Sequence, residues 1–320
     1  MSIPDVLQGR LSLPVVASPM FIASGPDLVV AQCSAGIVGS FPALNARPAA
    51  MLGDWLAEID ERLAAAAATG ATVAPYAVNQ IVHRSNDRLE ADVALCVEHE
   101  VPVVITSLGA RSDVYDAVHS YGGIVLHDVI NDRFAHKAVE KGADGLIAVA
   151  AGAGGHAGTQ SPFALVREIR RWFDGPLVLS GAIAHGRSVL AAQAAGADLA
   201  YIGSAFLATT EARVVEGYRQ MIVDSAADDI VYSNLFTGVH GNYLRGSITA
   251  AGLDPDALPT SDPSAMSFGS GESKAWRDVW GSGQGIGAID AVLPAGELIA
   301  RFGREYAEAV AELRTVLAGV

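Results

Sequence analysis

The stretch Gly142-Ala143-Asp144-Gly145-Leu146-Ile147-Ala148-Val149-Ala150-Ala151-Gly152-Ala153-Gly154-Gly155-His156-Ala157-Gly158 packs a helix end, a strand and a loop into one short run. Its opening Gly-Ala-Asp suits a left-handed C-cap that turns a helix back toward a strand. Gly145–Ala150 is continuously apolar, as a strand buried on both faces should be. It then passes into a loop of glycine and alanine with one titratable side chain, His156. Together these features describe one unit of a parallel βα repeat.

The same pattern recurs in both directions from this stretch. Short apolar runs lie at Pro14–Ser18, Gly36–Ser40, Ala74–Asn79, Val101–Ser107, Gly123–His127, Pro176–Ser180 and Leu199–Gly203. Amphipathic stretches separate them, among them Gly53–Ala68, Asp87–His99, Arg133–Lys141, Pro162–Phe173 and Gly186–Ala195. Gly196-Ala197-Asp198 repeats the capping triplet, and Gly122-Gly123 is a weaker version of it. With Gly145–Ala150 the runs number eight, which favours a closed (β/α)8 TIM barrel over an open doubly wound sheet. In a barrel, function sits in the loops at the C-terminal strand ends, so the residues just after each run are the ones to weigh. The pattern breaks after Phe206. A helix is expected over Ala208–Ala226, a loop-rich stretch with Tyr243, Trp276 and Trp280 over Ser233–Ser282, and a last amphipathic helix over Ala295–Leu317. The expected division is a barrel of residues 1–206 and 283–320 with a smaller helical, loop-rich insertion, 207–282, as a lobe or lid.

The chain of 320 residues is 51% hydrophobic and 18% charged, enough apolar material for one large core. Its formal net charge of −14 gives no electrostatic reason to bind nucleic acid or anionic lipid, which need clustered Lys and Arg. No apolar stretch is long enough for a membrane span, and Met1–Gly9 does not read as a signal peptide, so a cytoplasmic setting is expected. Cys33 and Cys96 fall in segments that read as helix beside small or apolar residues. Buried structural thiols are expected there rather than catalysis or a disulfide. No His/Cys/Asp/Glu cluster has metal-ligand spacing, so no metal is expected, and no Gly-x-Ser-x-Gly elbow is present.

Ser180-Gly181-Ala182 follows the seventh run and Gly203-Ser204-Ala205 the eighth. Loops at those two places commonly form a phosphate site, where glycine lets the main chain approach the anion. The plainer reading is two tight turns that bind nothing. The small residues of Ala151–Gly158 suit a flat ligand lying against the main chain, and His156 could move a proton or donate a hydrogen bond there. A surface-loop histidine is the competing reading. No acidic residue follows at the spacing a Rossmann site needs. Asn79 and Met20 should face the barrel mouth, where an amide can pair with a flavin edge and a thioether can pack on a ring. Ser107, His127 and Asp128 end the fourth and fifth runs. His127 and Asp128 are adjacent, so they should not face each other.

Taken in order, Ala17-Ser18-Pro19-Met20, Pro75-Tyr76-Ala77-Val78-Asn79, Gly154-Gly155-His156-Ala157-Gly158, Ser180-Gly181-Ala182-Ile183 with Gly186-Arg187, Gly203-Ser204-Ala205-Phe206 and Gly281-Ser282-Gly283-Gln284-Gly285 resemble the nitronate monooxygenase family over nearly the whole chain. The resemblance implies FMN held in a barrel with a smaller helical domain. It implies that Ser18, Met20, Asn79, His127, Gly154, Gly155, Ser180, Gly181, Ala182, Gly203 and Ser204 bind FMN, and that His156 is the catalytic residue. In that family a nitronate gives an electron to FMN, O2 reoxidises the flavin, and a carbonyl compound and nitrite leave. The implied partners are a small nitronate or other electron donor and O2; a homodimer is left open as an assembly. Two departures stand out. Val149-Ala150-Ala151 replaces a polar residue, often Gln, before the glycine segment, and Asp128 stands where some flavin relatives carry a Lys. Rival readings are an FMN-dependent NAD(P)H:quinone or enoyl-thioester reductase, a flavin carrier without turnover, and a flavin-free barrel of the IMP-dehydrogenase kind. The last depends on a loop cysteine, and neither Cys33 nor Cys96 ends a run.

Overall fold

The structure, a computed structural model, describes residues 2–262 and 278–319. The apolar runs form β1 (Val15–Ala17), β2 (Gly39–Pro42), β3 (Tyr76–Ile81), β4 (Val103–Ser107), β5 (Ile124–Val129) and β6 (Gly145–Val149). After a two-residue strand, β7 (Gly155–His156), come β8 (Leu177–Ser180) and β9 (Leu199–Ile202). All but β7 join one parallel sheet in the order β1-β9-β8-β6-β5-β4-β3-β2. The two edges meet. Ala17 N–H donates to Val38 O at 2.8 Å and Val38 N–H to Val15 O at 3.1 Å, closing the sheet into a barrel. The intervening helices are α1 (Pro26–Ser34), α2 (Met51–Ala68), α3 (Leu89–Glu98), α4 (Ser112–His119), α5 (Asp132–Glu140), α6 (Pro162–Ile169) and α7 (Gly186–Ala195). The fold is therefore the TIM barrel that the eight runs imply.

Burial explains why the runs lack polar alternation. One side chain of each pair fills the barrel, as Val38, Ile105, Leu126, Ile147 and Val178 do. Its neighbour packs under the helices, as Val78, Val104, Val125, Ala148 and Leu177 do. Both faces are dry, so both must be apolar. Gly122, Gly142 and Gly196 have φ of +87°, +103° and +116°, the left-handed caps expected of them. The second strand starts later than its run, because Gly36, at φ +85°, still belongs to the turn that closes α1. Cys33 and Cys96 are buried on α1 and α3, and burial pushes each thiol up to about 12.

The region after β9 departs from the expected single helix over Ala208–Ala226. A one-turn helix, α8 (Ser204–Leu207), is followed by an irregular stretch, and only Glu216–Asp224 forms a further helix, α9. Thr209 bridges to Leu293 in parallel register, and its hydroxyl donates to Phe206 O at 2.7 Å. A threonine that returns its hydroxyl to the backbone, in a chain bonded sideways to another segment, does not propagate a helix. Beyond α9 the chain forms a hairpin, β10 (Ile230–Ser233) and β11 (Gly241–Leu244), and a short helix, α10 (Arg245–Ala250). The expected reading of Trp276 lies outside the described residues. The chain closes with α11 (Ala295–Ala318), docked mainly on α7.

β7 matters most for the site. Although it follows β6, it pairs antiparallel with β11, in the register Gly241↔His156 and Asn242↔Gly155. The glycine segment thus leaves the barrel and becomes the third strand of the β10–β11 sheet.

Candidate active site

A large cavity of about 1340 Å³ opens at the C-terminal ends of the barrel strands. All twelve residues marked in the sequence lie on its wall: Ser18, Met20, Asn79, His127, Gly154, Gly155, His156, Ser180, Gly181, Ala182, Gly203 and Ser204. They come from the ends of six barrel strands, β1, β3, β5, β6, β8 and β9, together with β7, and only barrel closure brings them together.

Alternation selects which polar side chains face inward. On β5, Leu126 belongs to the barrel interior, so Asp128 points the same way and His127 the opposite way. His127 touches the cavity edge, but its Nδ1 lies 2.7 Å from Thr106 Oγ1 and 2.9 Å from Tyr115 Oη on α4. Burial lowers its pKa to about 4, so it is a neutral ring tied to the helical layer. The group that enters the cavity from the end of β5 is Asp128. Its Oδ2 accepts from Ser107 Oγ at 2.5 Å, and Ser107 Oγ accepts from Asn79 Nδ2 at 2.8 Å. Asn79 Nδ2 also donates to Ile105 O at 3.2 Å, so its carbonyl oxygen is the end left to offer a ligand. Tyr201, inward on β9, also lines the cavity.

The glycines also carry a packing role that the sequence does not show. A Cβ on Gly181, at φ +138°, would come within 2.8 Å of Ala151 O. One on Gly154 would meet Gly283 N at 2.8 Å and Ser204 Oγ at 3.1 Å. These residues let the β6, β8 and C-terminal loops pack backbone against backbone. Gly155, at φ +67° with nothing within 4 Å of the missing Cβ, is the one that leaves open space. The C-terminal loop locks in through Gln284 N–H to Gly152 O at 2.9 Å and Gly283 N–H to Ser204 Oγ at 2.8 Å. Because Ser204 Oγ accepts that bond, its own proton remains available for an anion in the cavity. A Cβ on Gly203 would lie 3.2 Å from Ser18 Cβ and 3.8 Å from Met20 Sδ, which puts all three side by side.

His156 is half-buried, and its Nε2 lies 3.0 Å from Thr237 Oγ1. Thr237 Oγ1 donates to Val239 O at 3.0 Å, so it accepts Nε2–H and leaves the imidazole lone pair on Nδ1. Burial lowers the His156 pKa to about 4, so the ring is neutral at neutral pH. Thr237 is 81 residues away in sequence and carries no motif signal; only the β7–β11 pairing brings it here. His240 stacks on Tyr232 at 5.0 Å, and both line the cavity. The rim also holds Arg47, Lys137, Lys141 and Arg213 against Glu140, a locally positive mouth on an acidic chain. Among the described residues no group of His, Cys, Asp and Glu could hold a metal ion, and no helix is long and apolar enough to cross a membrane.

A parallel barrel whose C-terminal mouth gathers a neutral histidine, a glycine-built turn and a mostly apolar wall defines an α/β-barrel enzyme acting on a small molecule. The family model described as "Nitronate monooxygenase" matches residues 41–305, and the chain belongs to that family, an oxidoreductase family. It is 28% identical to a nitronate monooxygenase of Paraburkholderia phytofirmans, over 94% of each chain. It also resembles the solved structure of FabK from Thermotoga maritima, with a TM-score of 0.78 and 25% identity, covering 98% of this chain and 97% of that one. A nitroalkane oxidase from Streptomyces ansochromogenes shares the fold, with a TM-score of 0.80 at 24% identity, covering 96% of this chain and all, 100%, of that one.

Proposed function

We propose that this cavity binds FMN and that the protein oxidises small alkyl nitronates with O2 to carbonyl compounds and nitrite. The observation that carries the reading is His156, neutral and held by Thr237 over a glycine-built wall at a positively charged mouth. The residues present suit FMN. Ser204 keeps a hydroxyl proton for a phosphate oxygen beside the Gly181 and Gly203 turns. Asn79 and Ser180 offer polar atoms to the ring edge, and Met20 offers an apolar contact. When bound, FMN supplies an electron acceptor that O2 can reoxidise.

The protein's own groups handle charge and protons. Arg47, Lys137, Lys141 and Arg213 draw an anionic nitronate toward the mouth. His156 Nδ1, carrying the ring's lone pair, accepts the α-proton of a neutral nitroalkane; once protonated, the ring donates to the nitronate oxygen. The low pKa of His156 keeps the ring in its neutral form at neutral pH.

Thr237 sets that tautomer, so Thr237→Val is expected to lower kcat about 5–10-fold with little change in KM, the equivalent of one hydrogen bond. Thr237→Ser should restore the rate, and steady-state kinetics of the three proteins would check this. Equal rates in all three would remove Thr237 from the mechanism.

The cavity volume of about 1340 Å³ favours one second reading, an FMN-dependent NAD(P)H:quinone or enoyl-thioester reductase, since typical small-ligand sites span roughly 300–1,000 Å³. Anaerobic mixing separates the two. Propionate-3-nitronate is expected to bleach the yellow protein while NADH does not. Bleaching by NADH alone would select the reductase, and a protein that cannot be loaded with FMN would end both readings.

A further inference from the structure

Beyond the twelve marked residues the cavity runs on along α5, where Ile130, Phe134, Lys137, Glu140 and Lys141 line it. Phe134, Lys137 and Lys141 are three and four residues apart, so they share one flank of the helix. Ile130 stands just ahead of the Asn131 cap and continues this stripe toward the mouth. It also packs on the glycine loop: a Cβ on Gly158, two residues after His156, would lie 3.2 Å from Ile130 Cβ. From His156 outward the wall is therefore apolar first and cationic second. The helix rise sets Lys141 about 10 Å beyond Phe134.

The stripe is not committed elsewhere in the fold. Ile130 is 41% exposed and Phe134 37%, although both are large and apolar. With Ile22, Val215 and Tyr232 they make up half of the large apolar side chains exposed among the described residues, and all five line this cavity. Exposed apolar area gathered at one place marks a binding surface, whereas scattered single residues do not. The ammonium of neither Lys137 nor Lys141 has an ion-pair or hydrogen-bond partner among the described residues. The other flank of α5 is closed: His136 stacks on Trp172 at 3.7 Å, and Trp172 Nε1–H donates to Asp132 Oδ1 at 2.7 Å. Two lysines against Glu140 leave one net positive charge on the stripe, and counting Asp132 and Arg133 leaves that balance unchanged. A single positive charge suits a monoanion such as a carboxylate better than a phosphate ester.

A short nitronate held at His156 makes no use of this stripe. A ligand that fills it has a reacting head at the mouth, an apolar middle and an anion at its far end. We propose that the substrates of this site are long-chain nitronates that carry a carboxylate at the end remote from the nitro carbon. The chain lies over Ile130 and Phe134, and the carboxylate reaches Lys137 and Lys141. The assignment rests on the nitronate reading and narrows it. The chemistry at the nitronate carbon stays the same; the far end of the chain only binds.

The test is a steady-state comparison, on the FMN-loaded protein, of the nitronates of nitroethane, nitrodecane and ω-nitrodecanoate. The nitrodecane nitronate should exceed that of nitroethane about tenfold in kcat/KM, the gain from partly burying its chain. The ω-nitrodecanoate nitronate should gain about a further 3–5-fold, the size of an exposed charge pair, and lose that gain at high salt. In a Lys137→Gln/Lys141→Gln protein every nitronate loses the attraction common to all anions. The ratio of ω-nitrodecanoate to nitrodecane therefore reads the remote carboxylate alone, and it should fall to one. Phe134→Ser should cut the ratio of nitrodecane to nitroethane about threefold. Calorimetric binding of decanoate, which has no nitro group, gives a second measure: the double lysine variant should bind it about 3–5-fold more weakly than the wild type. A flat chain-length series, or a carboxylate preference that survives the lysine changes, would overturn the proposal and leave the nitronate reading intact. Failure of every nitronate to bleach the flavin, with decanoate still bound through the lysines, would overturn the nitronate reading and with it the substrate class, leaving the carboxylate site in place.

Discussion

His156→Asn is expected to keep FMN bound and to lose about 10²–10⁴-fold in turnover, the range for removal of a general acid–base group. Asparagine keeps a donor that can reach Thr237, and the β7–β11 pairing runs through main-chain atoms, so the cavity wall should survive the change. What disappears is a group that can gain and release a proton. The pH profile gives an independent check. Burial lowers the His156 pKa from 6.5 to about 4, so the basic form persists through mildly acidic pH. The acid limb of kcat/KM should therefore fall near pH 4 and be absent from the residual activity of the variant. Stability carries the matching sign. Between pH 6.5 and 4 the unfolded chain takes up a proton that the folded ring refuses, so this residue costs stability as pH drops through that window. An unchanged rate, or an acid limb near 6.5, would mean that His156 as found here is not the base.

Gly186→Val is the second large effect, and it concerns stability. A Cβ at Gly186 would lie 2.2 Å from Phe302 O and 2.4 Å from Tyr306 N, both backbone atoms of α11. Neither can swing aside as a side chain would, so α7 and α11 would have to separate. The contact is reinforced by Gly186 N–H donating to Glu305 Oε2 at 2.8 Å and by the Arg187–Glu312 ion pair. A loss of about 3 kcal/mol is expected, near the upper end for overpacking because the obstacles are main chain. That corresponds to a fall in Tm of roughly 4–5 °C. Gly303→Ala, on α11 itself, has nothing within 4 Å of the new methyl and serves as the control. It should leave Tm unchanged or raise it by the helix preference for alanine, about 1 kcal/mol. Thermal melts of both variants would check the pair, and equal melting temperatures would contradict the packing account.

Gly186 also shows where sequence reading stops. In the chain it only opens the amphipathic stretch Gly186–Ala195, beside the Ser180-Gly181-Ala182 turn. In space it is where two helices touch. Gly154 and Gly181 pack loop against loop while also lining the cavity. A glycine in sequence reports that something comes close to the main chain; it does not report whether that something is a ligand or another loop. The alternation on β5 is a similar case. The sequence says that His127 and Asp128 face opposite ways, but choosing the inward one needs the register of the barrel.

What the amino-acid sequence determined by itself was local and periodic. Continuous apolar runs, left-handed glycine caps and helical stretches are enough to specify parallel strands covered on both faces, and hence the barrel and the end of it that carries the site. The twelve marked residues reach one cavity because that rule depends only on strand direction. The tertiary structure decided everything that depends on contacts between distant segments. It paired β7 with β11 and so set Thr237 against His156, it turned His127 out and Asp128 in, and it seated the Gly281–Gly285 loop against Gly152 and Ser204. The reason is physical: a strand's period is written in its own residues, whereas the partner of a buried polar atom is fixed only when the chain closes around it.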